Sequence, residues 1–155
     1  MHTAHAKLKI RTIWAIINDA LVVECILDGG CQFVAMSEEC CLRLKLSYDP
    51  SVPLRAIAAN GSSDAVLGLA RNVPVTIPGG VTVYLQIYII RNAAYDVLLG
   101  RPFDALLSTR TKNLIGEEQV LTICCPNTAV TMTIPTYARG EHPTPASAQI
   151  LGFRE

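Results

Sequence analysis

Residues 22–36, VVECILDGGCQFVAM, decide how this chain is read. Asp28-Gly29-Gly30 separates two apolar runs, and Asp and Gly are turn formers for known reasons: Asp bonds its own backbone, and Gly accepts dihedrals other residues avoid. On its own, Asp-Gly-Gly between strands is an ordinary turn. Here, however, Cys25, Ile26 and Leu27 keep the arm apolar right up to the carboxylate. A surface hairpin seldom places its Asp at the end of so apolar an arm. A functional carboxylate would also need a covering element and a second apolar loop beneath it.

Working outward, residues 7–18 and 19–27 alternate apolar and polar side chains at strand spacing, with a turn at Asn18-Asp19. Residues 31–36 (CQFVAM) make a third strand. Ser37, followed by two Glu, starts a helix predicted over 37–46, and residues 48–53 end it. Residues 54–70 contain two extended arms around Asn60-Gly61-Ser62-Ser63, a strong hairpin signal. Residues 73–90 form another hairpin, turning at Pro78-Gly79-Gly80. YDVLLG, residues 95–100, is a short buried strand closed by Gly100, and Pro102 opens a helix over 101–109. A last hairpin turns at residues 126–128, and the tail from Arg139 is polar and rich in small residues. The expected architecture is one mostly β domain over residues 8–138, with one or two short helices and flexible ends at 1–7 and 139–155.

Composition narrows the function classes. The chain has 155 residues, half of them hydrophobic, and its 13 Lys+Arg balance 13 Asp+Glu. With no basic run or stripe, a nucleic-acid surface is not expected. No apolar stretch approaches the roughly 18 residues of a membrane span, and no signal-peptide pattern is present, so the expectation is a cytoplasmic protein or a segment of an intracellular polyprotein. The mean hydropathy of +0.33 is high and points to apolar surface covered by a partner. The six cysteines lack C-x-x-C spacing and are expected to be free thiols in a reducing compartment. Histidines occur only at 2, 5 and 142, which deprives a Ser–His or Cys–His scheme of its base and a zinc site of ligands. No metal or cofactor is expected.

Three segments in order now carry a family resemblance. ILDGGCQFVAMSEE (residues 26–39) resembles the apolar-Asp-Thr/Ser-Gly motif of retropepsins, the aspartic proteases of retroviruses and LTR retrotransposons. AIAANGSSDAVLGLA (residues 56–70) resembles their flap, close to the A-N-G pattern of gypsy-type elements, and YDVLLGRPFDAL (residues 95–106) resembles their second signature. The resemblance covers about residues 8–135. It implies an acid-protease β-barrel with one lobe per chain and one catalytic Asp per chain, hence a homodimer acting on a peptide or polyprotein.

Carried over position by position, Asp28 is the catalytic carboxylate and Gly29 and Gly30 form its loop, Gly30 allowing the tight turn. Cys31, Gln32 and the flap tip Asn60, Gly61, Ser62 and Ser63 touch substrate. Leu98, Leu99 and Gly100 support the loop, and Arg101 ties the dimer's loops together. Asp96 and Asp104 read as cap or surface residues. One departure stands out: the family has Thr or Ser after the catalytic Asp, and this chain has Gly29. In the family that hydroxyl bonds across the dimer, so a weaker dimer is expected here. Two other readings remain: a retropepsin-like module that dimerises or binds peptides without catalysis, and an unrelated small β-barrel.

Overall fold

The computed structural model describes residues 9–52, 66–115 and 119–141. The chain opens with a hairpin of β1 (Arg11–Ile17) and β2 (Leu21–Leu27), joined through Asn18 and Asp19, both with left-handed φ, at 56° and 53°. That turn matches the twist of the two arms. Ile13, Ala15 and Ile17 point inward with period two. Then follow β3 (Val34–Ser37), α1 (Glu38–Arg43), β4 (Val66–Ile77), β5 (Val81–Ile90), β6 (Val97–Leu99) and α2 (Arg101–Leu107). β7 (Arg110–Asn113), β8 (Gln119–Cys124), β9 (Thr131–Pro135) and β10 (Tyr137–Ala138) complete the order.

Seven strands form one sheet in the order β10-β1-β2-β6-β3-β5-β4, and β1 also pairs with β4, closing six strands into a barrel. The fold is mostly β with two short helices, as the sequence predicts. A separate antiparallel sheet, β7-β8-β9, follows α2. Phe103 and Leu107 of α2 are fully buried in the same core as Ile13, Met36, Ile77 and Ile87.

The feature that positions the site is β6. Only three residues long, it lies between β2 and β3, parallel to the first and antiparallel to the second. The two strands that flank residues 28–33 are thus held apart by a segment some 70 positions later, and the intervening loop must pass over the end of β6.

Several boundaries differ from the sequence expectation. β3 starts at Val34 rather than at residue 31, because both backbone groups of Cys31 are taken elsewhere: its N–H donates to Asp28 O and its C=O accepts from Arg101 N–H. α1 stops at Arg43 because Lys45 turns left-handed (φ 55°), with Lys45 N–H donating to Leu42 O and Leu46 N–H to Cys41 O. That pair is the Schellman arrangement, here without glycine. Residues 66–70 and 73–77, expected as arms of two hairpins, are one strand, β4, bulged between Ala70 and Val73. β7 and β10 were not expected. Beyond Ala138 the backbone still contacts the barrel: Arg139 N–H donates to Ile10 O, and Gly140 N–H to a Glu24 carboxylate oxygen. The cysteines are free thiols.

Candidate active site

Asp28 directly follows β2, and three hydrogen bonds fix its place. Its N–H donates to Leu99 O (3.0 Å), its C=O accepts from Cys31 N–H (3.2 Å), and its Oδ1 accepts from Gly30 N–H (3.0 Å). Among the described residues nothing donates to Oδ2. The side chain is half-buried: one oxygen is held by its own turn and the other remains open for chemistry.

The glycines of this loop have different reasons. Gly30 sits in the tight turn closed by Cys31 N–H to Asp28 O, without left-handed φ, and a Cβ there would stand 3.4 Å from Asp28 Oδ1, in contact with the carboxylate. Gly29 is exposed, also without left-handed φ, and the nearest atom to a Cβ there would be Asp104 Oδ2 at 3.6 Å. Gly100 is tightly enclosed, as a Cβ would fall 2.0 Å from Phe33 O and 2.6 Å from Cys31 O.

Of the other residues singled out in the sequence, Leu99 is buried and supplies the carbonyl beneath Asp28, while Leu98 is half-buried and faces a cavity. The Arg101 N–H donates to Cys31 O at 2.7 Å, so Arg101 braces the loop through its backbone while its side chain is exposed. Cys31 is half-buried and Gln32 exposed. Asn60, Gly61, Ser62 and Ser63 lie outside the described residues. Asp96 pairs with Arg43 at 3.0 Å.

A cavity of about 760 Å³ opens beside Asp28, lined in part by Ile26, Leu27, Gly29, Tyr95, Leu98 and Asp104. Its rim includes the cations Lys9, Arg11 and Arg139. Burial raises the Tyr95 phenol above its ordinary 10.0, and nearby Cys31 and Asp28 raise it further, so Tyr95 stays a neutral donor beside the carboxylate. Sequence reasoning missed Tyr95 and the part taken by Asp104. Tyr95 stands two residues before β6, and its place in the YDVLLG stretch was the available signal. Asp104 had none, because a first-turn Asp in a helix is ordinary. Among the described residues no three His, Cys, Asp or Glu side chains cluster as metal ligands, and no helix is long and apolar enough to cross a membrane.

An Asp after a strand, hung from the carbonyl of an inserted parallel strand, now has comparisons. The family described as "gag-polyprotein putative aspartyl protease" matches residues 13–103, which span β2, Asp28, β6 and the first residues of α2. The chain belongs to this retropepsin-like family of aspartic proteases. The retropepsin-like domain is also 30% identical, over 123 residues, to DNA damage-inducible protein 1 of Yarrowia lipolytica (strain CLIB 122 / E 150). That alignment covers 74% of this chain but 31% of the relative, so the chain spans under a third of the relative's length. A solved structure, the retroviral protease-like domain of Ddi1 from Leishmania major, shares the fold with a TM-score of 0.64 at 18% identity, covering 88% of this chain and 100% of that one. A retropepsin-like aspartic protease from Rickettsia conorii has a TM-score of 0.45 at 14% identity, covering 81% and 84%.

Proposed function

We propose that the domain is an aspartic endopeptidase that works as a homodimer, with Asp28 as the catalytic carboxylate of each copy. The observation behind this is the suspension of Asp28 from Leu99 O, with Oδ1 held by Gly30 N–H and Oδ2 open beside a cavity. One carboxylate cannot both take a proton from water and give one to the scissile carbonyl. Two brought together cannot both ionise, so they share a proton: the ionised member activates water while the protonated member donates to the carbonyl. Water attacks directly, without a covalent intermediate.

In this proposal residues 8–138 are the catalytic unit, with Leu98, Leu99, Gly100 and Arg101 supporting the loop. Cys31, Gln32 and the flap tip at residues 60–63 meet an extended peptide held as an added strand. The substrate proposed is a polyprotein of the retrotransposon type, in line with the description of the matched family. A reducing cytoplasmic setting fits six free thiols. A second reading, a dimerising or peptide-binding module without catalysis, is favoured by Gly29, which lacks the family's hydroxyl.

The test is cleavage of an apolar peptide library with and without pepstatin, by the parent chain and by Asp28→Asn. The variant keeps shape and removes the shared-proton chemistry, so cleavage should vanish while circular dichroism stays unchanged. Equal cleavage by both proteins rules out Asp28; no cleavage by either, in a chain that dimerises, favours the second reading.

A further inference from the structure

Asp104 has a place that its role in its own chain does not explain. It sits in the first turn of α2, yet the N-cap is Gly100 and no side chain caps that helix. Its Oδ1 accepts from Thr109 Oγ1 at 2.7 Å, and its backbone C=O accepts from Thr109 N–H. That fixes the carboxylate and turns Oδ2 toward Gly29, 3.6 Å from where a Cβ would stand there. Among the described residues nothing donates to this oxygen. The cations of the same cavity are engaged otherwise or out of reach: Arg11 donates twice to Thr136, Arg139 donates to Ala94 O, and Lys9 makes no ion pair with Asp104.

Beside this idle acceptor stands an idle donor. Gly29 is exposed, and its N–H finds no acceptor among the described residues. Both residues line the open cavity next to Asp28. A donor and an acceptor that are adjacent and not bonded to each other are what a two-fold axis pairs reciprocally, because each contact then occurs twice. We infer that Asp104 is a positioning residue that holds the active-site loop of a second copy, its Oδ2 accepting the backbone N–H of that copy's Gly29. The inference rests on the homodimer reading above. It supplies a polar link between the loops in a chain whose residue 29 has no side chain, and the carboxylate makes each of the two bonds charge-assisted.

The test measures the dimer Kd by sedimentation for the parent, Asp104→Ala, Asp104→Asn and the Asp104→Ala/Gly29→Ser double variant, with peptidase activity across concentration. Asp104→Ala should raise Kd about tenfold or more, since two charge-assisted bonds at a partly exposed site are lost. Its specific activity should fall on dilution at concentrations where the parent stays dimeric. Asp104→Asn, which keeps shape and a neutral acceptor, should fall between. Gly29→Ser added to Asp104→Ala should tighten the dimer again, because its hydroxyl would stand close to the position of the lost oxygen. A parent that dimerises while Asp104→Ala, or Asp104→Asn if the alanine variant does not fold, dimerises equally well overturns the inference alone. A parent that stays monomeric at every concentration overturns the homodimer reading and the inference together.

Discussion

Gly100 is the residue whose identity is most narrowly dictated. A Cβ there would lie 2.0 Å from Phe33 O and 2.6 Å from Cys31 O, both backbone atoms that cannot swing aside. The bonds on either side, Asp28 N–H to Leu99 O and Arg101 N–H to Cys31 O, join the same two segments. Gly100→Ala should therefore destabilise the fold by about 3 kcal/mol, at the upper end of overpacking costs, as read from urea denaturation. Peptidase activity should fall further than stability does, because the segments pushed apart carry Asp28. The sequence made Asp28 and Gly100 legible, since each stands at the end of an apolar run. Asp104 and Tyr95 were not legible as neighbours of Asp28: they reach its cavity from other elements, which local pattern does not encode.

The elements themselves follow local chemistry where local chemistry is decisive. Ser37 starts α1 by accepting from Cys40 N–H, and Gly79 and Gly80 turn β4 into β5 with φ of 93° and 86°. The sequence reading leaves Arg71-Asn72 between two hairpins; Asn72 turns left-handed (φ 53°), and the strand absorbs it as a bulge. β7 and β10 are short and polar or partly exposed, so they carry little periodicity. Where β2 meets α1, buried thiols give the elements a pH response. Burial chiefly raises Cys25 well above its ordinary 9.0 and Cys40 to about 11, and it also raises Cys41. A raised folded-state pKa means the folded chain keeps protons that the unfolded chain releases. The corresponding stability is fully present below about pH 9 and is lost as pH rises through about 11 for Cys40, and higher for Cys25. The melting temperature should thus fall steeply above pH 9, and Cys25→Ala should flatten that fall while lowering the melting temperature at pH 7.

For the molecule as a whole, the proposed homodimer, with a single Asp28 per chain, ties activity to assembly. Specific activity should drop on dilution through the dimer Kd and return on reconcentration, read by sedimentation alongside a peptidase assay. The rate should be highest at mildly acid pH. The proposed mechanism needs one carboxylate of the pair protonated to donate to the carbonyl and the other ionised to take a proton from water. A monomer at full specific activity would refute the scheme. The insertion of β6 between β2 and β3 also sets an order in time. Asp28 is translated before the residues that hold it: the carbonyl it hangs from belongs to Leu99 and the N–H that braces its loop to Arg101. Until that later stretch has emerged, the first strands have no partner between them, and loop closure over so long an interval is slow. During synthesis the proposed catalytic centre therefore cannot assemble until the barrel is nearly whole, which delays any cleavage by the proposed peptidase to after its own translation.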